Sequence, residues 1–277
     1  MPFGPLVGVD WLRAHLDDPE VRVIDFRWYL DGRNGADAYS RGHIPGAVFV
    51  DLEAVTGSEG GGRHPLPAGE QFEMEMRKAG ISAGTKVVAY DDAGGSVAAR
   101  LWFLLGWFGH QAQAVLDGGL QAWGDRLPLL EVRGPSLAPG GFRYREPDRS
   151  RILDFDAVRR LRDVPLFDAR AGERYRGEKE PIDPKAGHIP GALSAPWLEN
   201  LGPDGAFKSP AELRRRFLAL GAVEARGAVV YCGSGVNACH DLLAMEVAGL
   251  SNVRLYAGSW SDWSHHDAPV ATGNDPG

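Results

Sequence analysis

Cysteine, basic charge and long apolar segments are all scarce in this sequence. Its 277 residues contain only two cysteines, which is too few for a disulfide scaffold and is typical of a reducing compartment. The formal net charge of −7 gives no electrostatic footprint for nucleic acid or for an anionic membrane surface. The longest apolar run, residues 101–108, is too short to cross a bilayer, and the first residues lack the features of a signal peptide. We therefore expect a cytoplasmic protein that binds neither nucleic acid nor membranes.

The sequence repeats itself at a spacing of about 140 residues. The hexapeptide GHIPGA occurs at residues 42–47 and 187–192, and an apolar strand pattern that ends in aspartate precedes each copy, at Asp25 and Asp168. The segment VVAYDDAGG resembles the later VVYCGSGV, and two related segments end at Trp123 and Trp263. Four similar blocks in the same order indicate duplicated domains. We place an N-terminal domain at residues 1–135, a linker at 136–152 and a C-terminal domain at 153–277.

Short runs of strand-forming residues alternate with amphipathic helix patterns in each half. In the second half, strands are predicted at residues 165–167, 229–231 and 253–255, and helices at 155–161, 211–220 and 238–248. This alternation is typical of an α/β fold in which helices flank a mainly parallel sheet. In such sheets, ligands bind beyond the carboxyl ends of the strands, which is where Cys232 falls.

The segment VVYCGSGVNA, residues 229–238, places a thiol between a strand and a helix. Backbone N–H groups in such a loop can converge on the sulfur and favour the thiolate over the thiol. Gly233 and Gly235 allow the loop to bend tightly. Taken alone, the segment is equally consistent with a buried structural cysteine.

Taken together, these blocks resemble the two-domain sulfurtransferases of the rhodanese family, over nearly the whole chain. The resemblance implies two tandem rhodanese-like domains with Cys232 as the nucleophile. It also implies an inactive N-terminal domain, because Asp91 stands in place of the cysteine. The implied reaction passes a sulfane sulfur from a small donor through a Cys232 persulfide, with no other cofactor. The acceptor would be a thiol or cyanide, and a thioredoxin-like reductant is a further candidate partner.

The loop after Cys232 bears on the identity of the donor. In this family, thiosulfate enzymes tend to carry cationic residues after the cysteine, whereas 3-mercaptopyruvate enzymes carry CGSG followed by Val and Thr. The neutral loop here favours 3-mercaptopyruvate, with thiosulfate:cyanide sulfur transfer as the alternative. The alternative from another class of protein is a persulfide carrier, which would pass sulfur between partner proteins without steady turnover of a small donor. The loop residues expected to act on donor and sulfur are Gly233, Ser234, Gly235, Val236 and Asn237, the last of which replaces the threonine.

The resemblance also assigns a substrate-binding residue. Arg174, in the RYRG segment, matches the family's substrate-binding arginine, and a guanidinium can bind a carboxylate through two hydrogen bonds. Arg170 is interpreted as a structural ion-pair partner. Mercaptopyruvate enzymes usually carry a second arginine about nine residues further on, where this chain has Asp183. Lys185 is the candidate for the missing cation.

A proton relay is implied as well. The family pattern matches Asp51 and His64 to residues that act with the loop serine, Ser234, in proton transfer. Such a relay could protonate the departing enolate of pyruvate. The alternatives are an exposed loop histidine at position 64 and, at position 51, a carboxylate that caps local amides.

Other chemistries lack support in the sequence. A cysteine phosphatase needs an arginine six residues after the cysteine, where this chain has Ala238. Ser234 lacks the glycine spacing of a hydrolase nucleophile elbow. No Cys-x-x-Cys motif is present, so we predict no metal site. Cys239 is interpreted as a buried core residue, and His43 and His188 within the GHIPGA blocks as turn-stabilising.

Overall fold

The computed structural model describes residues 3–124, 135, 137–222 and 226–277. Residue 136 of the predicted linker lies outside the described residues, as do residues 125–134 of the predicted N-terminal domain. The first compact unit comprises Met1–Thr56, Pro67–Pro147 and Pro203–Ala206. The second unit comprises Gly57–Leu66, Asp148–Gly202 and Phe207–Gly277. A ten-residue segment from the first half of the sequence therefore packs as part of the second unit.

Each unit contains one five-stranded sheet, and all of the strand pairings are parallel among the described residues. The first sheet has the order β1-β5-β4-β2-β3, with strands at Leu6–Val7 (β1), Val21–Asp25 (β2), Val48–Phe49 (β3), Lys86–Tyr90 (β4) and Gln113–Leu116 (β5). The second has the order β6-β10-β9-β7-β8, with strands at Ile152–Leu153 (β6), Leu166–Asp168 (β7), Ala192–Ser194 (β8), Ala228–Tyr231 (β9) and Val253–Tyr256 (β10). The two orders are the same permutation, as duplication predicts.

Helices alternate with the strands in both units. Those of the first unit are Val9–Ala14 (α1), Gly35–Arg41 (α2), Gly69–Lys78 (α3), Ala98–Trp107 (α4) and Gly119–Trp123 (α5). Those of the second are Phe155–Arg159 (α6), Gly172–Tyr175 (α7), Pro210–Ala219 (α8), Ala238–Val247 (α9) and Ser259–Trp263 (α10). The predicted α/β class with helices flanking a parallel sheet is confirmed. No helix among the described residues is long and apolar enough to cross a membrane.

The local sequence explains where the elements of the second unit begin and what they bury. Helix α8 starts at a capping box, in which Ser209 and Glu212 satisfy each other's backbone N–H groups. Strand β9 is buried along its whole length, as expected for a central strand covered on both faces. Helix α9 is buried from Ala238 to Met245, so it is a core helix without a polar face over this stretch. Together, β9 and α9 fix both ends of the loop that carries Cys232.

The DAR and GHIPGA blocks form the same network in both units. Arg170 donates to Asp168 at 2.6 Å and to the carbonyl of Gly187 at 2.6 Å, which ties the end of β7 to the GHIPGA turn. In the first unit, Arg27 makes the equivalent bonds to Asp25 and to the carbonyl of Gly42. The first unit has Asp91 where the second has Cys232, so a network that is present in both units serves the fold, in line with the structural interpretation of Arg170.

A buried polar cluster joins Asp241 of α9 to Asn200 and to Arg216 of α8. The side chain of Asn200 donates to Asp241 at 2.6 Å and accepts from Arg216 at 3.0 Å. The second carboxylate oxygen of Asp241 has no hydrogen-bond partner among the residues that the structure describes. Burial raises the pKa of Asp241 to about 7, although the nearby Arg216 acts in the opposite direction. The folded protein therefore holds this carboxyl protonated at pH values where an unfolded chain releases the proton.

Asp241→Asn is expected to remove a pH dependence of stability. The unfolded carboxyl titrates near pH 4, so the stabilising contribution of the protonated form is complete below about pH 4 and is lost as the pH rises to about 7. Asparagine cannot titrate, so the variant should gain stability relative to the wild type between about pH 4 and about pH 8. The free energy of unfolding in urea at pH 4 and pH 8 measures this difference. Asp156→Asn is the control, because Asp156 is an exposed aspartate on α6. A difference between variant and wild type that does not change with pH would contradict the assignment.

Candidate active site

The loop that carries Cys232 is anchored through its backbone at the carboxyl end of β9. The N–H of Cys232 donates to Ser259 Oγ at 3.1 Å, and its carbonyl accepts from the N–H of Trp260 at 2.9 Å. Gly235 has a φ of +79°, and a β-carbon there would lie 2.4 Å from the carbonyl oxygen of Ala257. Only glycine fits this position, because a side chain would be both strained and in collision with backbone. Cys232 as a whole residue is 1 % exposed.

The equivalent loop of the first unit shows what such a loop can bind. Asp91 follows β4 as Cys232 follows β9, and it is fully buried. One carboxylate oxygen accepts from the N–H groups of Ala93 and Gly95 at 2.9 and 2.8 Å, and the other from Val97 and Ala98 at 2.7 and 2.8 Å. Burial raises the pKa of Asp91, while these four hydrogen bonds act in the opposite direction. The loop is thus a cradle of backbone donors for a negatively charged side chain.

His64 and Ser234 meet beside Cys232. His64 Nδ1 lies 2.7 Å from Ser234 Oγ, and Ser234 is two residues after the cysteine. His64 is 5 % exposed and Ser234 is 9 % exposed, so the pair is shielded from bulk water. The alternative of an exposed loop histidine is therefore wrong. The sequence left it open because local sequence does not reveal that the segment 57–66 packs as part of the second unit.

The Gly-rich segment before His64 explains how this histidine reaches the loop. Gly62 has a φ of +85°, and a β-carbon there would lie 2.3 Å from the carbonyl oxygen of Gly258. The next backbone N–H, that of Arg63, donates to Ser261 Oγ at 3.0 Å. The segment therefore packs against the start of α10 through contacts that only a residue without a side chain permits.

Two guanidinium groups border the loop on the side of Gly233. A β-carbon placed on Gly233 would lie 3.1 Å from Arg63 Nη2 and 3.3 Å from Arg174 Nη1. Arg174 comes from α7, whereas Arg63 comes from the segment 57–66. The neighbourhood of Cys232 therefore offers two planar donors to an anion.

Two buried carboxylates hold these arginines. Glu180 accepts from Arg174 Nη2 at 2.6 Å and from Arg174 Nε at 3.2 Å, and it also accepts from Arg170 at 3.2 Å. Asp183 accepts from Arg174 Nη2 at 3.2 Å through one oxygen and from Arg63 through the other. The site thus brings together a buried cysteine, two arginines and a hydrogen-bonded serine and histidine.

Comparison with known proteins identifies the family to which this fold belongs. The family model described as the rhodanese-like domain matches residues 8–126 and 155–266. The chain belongs to the rhodanese family.

Relatives of this rhodanese match along nearly their whole length. A Pseudomonas aeruginosa protein named as a probable 3-mercaptopyruvate sulfurtransferase is 44 % identical over 99 % of this chain and 100 % of its own. Mycobacterium tuberculosis SseB, provisionally named a thiosulfate sulfurtransferase, is 39 % identical over 92 % of each chain. The crystal structure of Escherichia coli SseA, described with the 3-mercaptopyruvate sulfotransferases, has a TM-score of 0.82 and 36 % identity, covering 92 % of this chain and 98 % of its own.

The structure also shows where the other residues predicted for the site of this rhodanese, Lys185 and Asp51, make their contacts. Lys185 is not the cation that was expected beside the loop: its Nζ donates to the carbonyl of His266 at 2.6 Å, and Arg63 stands by the loop instead. Arg63 was missed because nothing in its local sequence indicates a site, apart from its position next to His64. Asp51 lies in the first unit, where its carboxylate accepts from the N–H of Glu53 at 3.1 Å, which is the local capping alternative. Its part in a relay stays a prediction.

The rest of the loop leads directly into α9, and the second cysteine lies in the first turn of that helix. Val236 is buried, and Asn237 stands immediately before the first residue of the helix. Cys239 is a buried free thiol whose Sγ lies 3.3 Å from the carbonyl oxygen of Gly235, within the same turn. Cys239 thus packs under the loop as a small core residue.

Proposed function

We propose that this rhodanese is a sulfurtransferase that takes a sulfane sulfur from 3-mercaptopyruvate and carries it as a persulfide on Cys232. The observation that carries the proposal is the pair of guanidinium groups, Arg63 and Arg174, beside the loop of a buried cysteine. A donor with one carboxylate and one transferable sulfur suits this arrangement, because the arginines can hold the carboxylate while the sulfur faces the thiol. The names of the Pseudomonas and Escherichia relatives support the same donor.

The first half-reaction forms the persulfide. The Cys232 thiolate attacks the sulfur of 3-mercaptopyruvate, and the carbon–sulfur bond breaks with its electron pair left on carbon. The product is the enolate of pyruvate, which needs one proton to become pyruvate. Ser234, hydrogen-bonded to His64, is the proton donor in this proposal, and the histidine replaces the proton that the serine gives up. The loop amides stabilise the charge on the cysteine sulfur before and after transfer.

The second half-reaction empties the site. An acceptor thiol, or cyanide, attacks the outer sulfur of the persulfide, and the sulfur–sulfur bond breaks to return the Cys232 thiolate. The acceptor leaves as a persulfide or as thiocyanate. A thioredoxin-like reductant fits this step, because its second thiol can release the accepted sulfur as sulfide while a disulfide forms. No cofactor is needed in either half-reaction.

Thiosulfate is the second candidate donor. Two adjacent guanidinium groups also suit a dianion, and the Mycobacterium relative is provisionally named a thiosulfate sulfurtransferase. Initial rates with the two donors, with cyanide as acceptor, decide between them. A larger kcat/KM for 3-mercaptopyruvate supports the proposal, and a larger kcat/KM for thiosulfate overturns it. Persulfide formation without saturable turnover of either donor would instead identify a carrier protein.

Arg174→Gln is expected to lower kcat/KM for 3-mercaptopyruvate by about 10- to 100-fold, mainly through KM, because charge-assisted hydrogen bonds to the donor carboxylate are lost. Arg176→Gln is the matched control, since Arg176 lies two residues further on and pairs with Glu178 at 2.7 Å. Steady-state kinetics on both variants measures the effect. Equal activity in the two variants would remove Arg174 from the donor site.

A further inference from the structure

Ser259, the first residue of α10, has a backbone conformation that suits glycine. Its φ is +57°, and it is fully buried. A side chain in this left-handed region costs free energy that glycine does not pay. The other non-glycine residues with positive φ in the described part of the chain, Asp163 and Asn252, are exposed and of types that tolerate it. Strained residues of this kind cluster at functional sites, so the buried serine calls for an explanation.

The duplication contains an unstrained version of the same position. Helix α5 begins at Gly119, which lies 140 residues before Ser259 and has the same φ of +57°. A β-carbon on Gly119 would lie 2.6 Å from the carbonyl oxygen of Asp91, the counterpart of Cys232. In both units the next residue of the helix donates its N–H to that loop carbonyl, at 2.8 Å in the first unit and 2.9 Å in the second. The second unit therefore keeps this backbone contact and adds a side chain.

The hydroxyl of Ser259 is a bridge to the backbone of Cys232. Ser259 Oγ accepts from the N–H of Cys232 at 3.1 Å and donates to the carbonyl of Tyr256, the last residue of β10, at 2.9 Å. The N–H of Trp260 holds the carbonyl of Cys232. The peptide groups on both sides of the Cys232 α-carbon are thus held by the start of α10.

We propose that Ser259 is a positioning residue for sulfur transfer: it fixes the backbone of Cys232 and, with it, the direction in which the sulfur points. This inference rests on the proposed function, because that sulfur is the nucleophile of the proposed reaction. The hydroxyl acts through Cys232, and its strained backbone is retained because glycine cannot supply this bond.

The two loops differ in how much the side chain at their centre can hold itself. The carboxylate of Asp91 has two oxygens, and four N–H groups of its own loop orient them. The sulfur of Cys232 is a single atom and a weaker hydrogen-bond acceptor than a carboxylate oxygen. In the proposed reaction it also has to stay aligned both as a thiolate and as a persulfide. A cysteine at this position therefore depends more on a fixed backbone than an aspartate does.

Ser259→Gly and Ser259→Ala separate the hydroxyl from the strain. Both variants lose the acceptor for the N–H of Cys232, but only glycine relieves the left-handed conformation, so Ser259→Gly should be the more stable of the two. We expect kcat for 3-mercaptopyruvate to fall by about 10- to 100-fold in both variants, because the sulfur is no longer aligned for attack. The KM should change by less than about threefold, since Arg63 and Arg174, which bind the donor in the proposed function, are untouched.

The experiment combines steady-state kinetics, the free energy of unfolding in urea, and the rate of persulfide formation in a single turnover followed by intact-mass spectrometry. Ser264→Ala is the matched control: Ser264 is a buried serine directly after α10, and its Oγ has no hydrogen-bond partner among the described residues. We expect this control to keep the wild-type kcat.

Two results would overturn the inference. A merely structural Ser259 would leave the kcat of the folded protein at the wild-type value in both variants, so that rates follow only the amount of folded protein. A kcat that recovers in Ser259→Gly but not in Ser259→Ala would assign the effect to strain instead of to the hydroxyl. A wild type that transfers sulfur from neither donor would overturn the proposed function itself, which is a separate outcome.

Discussion

Asp91→Ala is expected to destabilise the protein by about 4 kcal/mol or more, because buried backbone donors that lose their acceptor each cost about 1–3 kcal/mol. The carboxylate of Asp91 satisfies four N–H groups of its own loop, between β4 and α4, at 2.7 to 2.9 Å. Alanine leaves all four N–H groups without this acceptor. The free energy of unfolding in urea, monitored by tryptophan fluorescence and by circular dichroism, measures the loss.

The neighbouring Asp92→Ala provides the matched control. Asp92 is partly exposed, and its carboxylate accepts from the hydroxyl of Tyr29 at 2.6 Å. Losing this single hydrogen bond should cost about 1 kcal/mol. If Asp91→Ala destabilises the protein no more than Asp92→Ala does, the first-unit loop is not an anion cradle, and the argument from that loop to the loop of Cys232 loses its basis.

Cys232→Ser is expected to lower sulfur transfer by about 10³-fold or more with either donor, because a serine hydroxyl cannot store sulfane sulfur as a persulfide. Serine differs from cysteine by one atom, so the fold and the hydrogen bonds of the Cys232 backbone to Ser259 and Trp260 should be retained. Initial rates with 3-mercaptopyruvate and cyanide, together with the free energy of unfolding, separate a catalytic from a structural loss.

Cys239→Ser is the control for that variant. Its side chain is also buried, seven residues further along the chain, and a serine hydroxyl can keep the contact with the carbonyl of Gly235. We expect Cys239→Ser to keep most of the wild-type rate. Suppose instead that Cys239→Ser loses activity and Cys232→Ser retains it. The persulfide would then form on Cys239, and the mechanism would be rejected.

The sequence predicts those parts of the fold that depend on short local patterns and that occur once in each half of the chain. Strand patterns of apolar residues, the aspartates that end β2 and β7, and the two GHIPGA turns all recur in both halves, so the duplicated parallel sheets follow from pattern alone. Cys232 is recognisable for the same reason, because a strand, a glycine loop and a helix surround it within ten residues. Resemblance to a known family then supplies the chemistry.

The parts that sequence could not supply depend on contacts between distant segments. The segment 57–66 packs with the second unit, which brings Arg63 to a loop about 170 residues further along the chain. No periodic pattern in the sequence indicates this packing. Gly62 is required there because the backbone of the segment 57–66 approaches Gly258 closely, and such an approach leaves no repeat in the sequence. Lys185 was chosen as the missing cation because it is close to Asp183 in sequence, whereas the structure directs its side chain to His266.

The central claim is that Cys232 takes sulfur from 3-mercaptopyruvate. Intact-mass spectrometry of the protein after brief exposure to this donor, without an acceptor, tests it most directly. We predict a mass increase of one sulfur atom in the wild type and in Cys239→Ser, localised to the peptide that contains Cys232, absent from Cys232→Ser and reversed by cyanide. An unmodified wild-type protein under conditions of active turnover, or a sulfur adduct that persists in Cys232→Ser, would contradict the account.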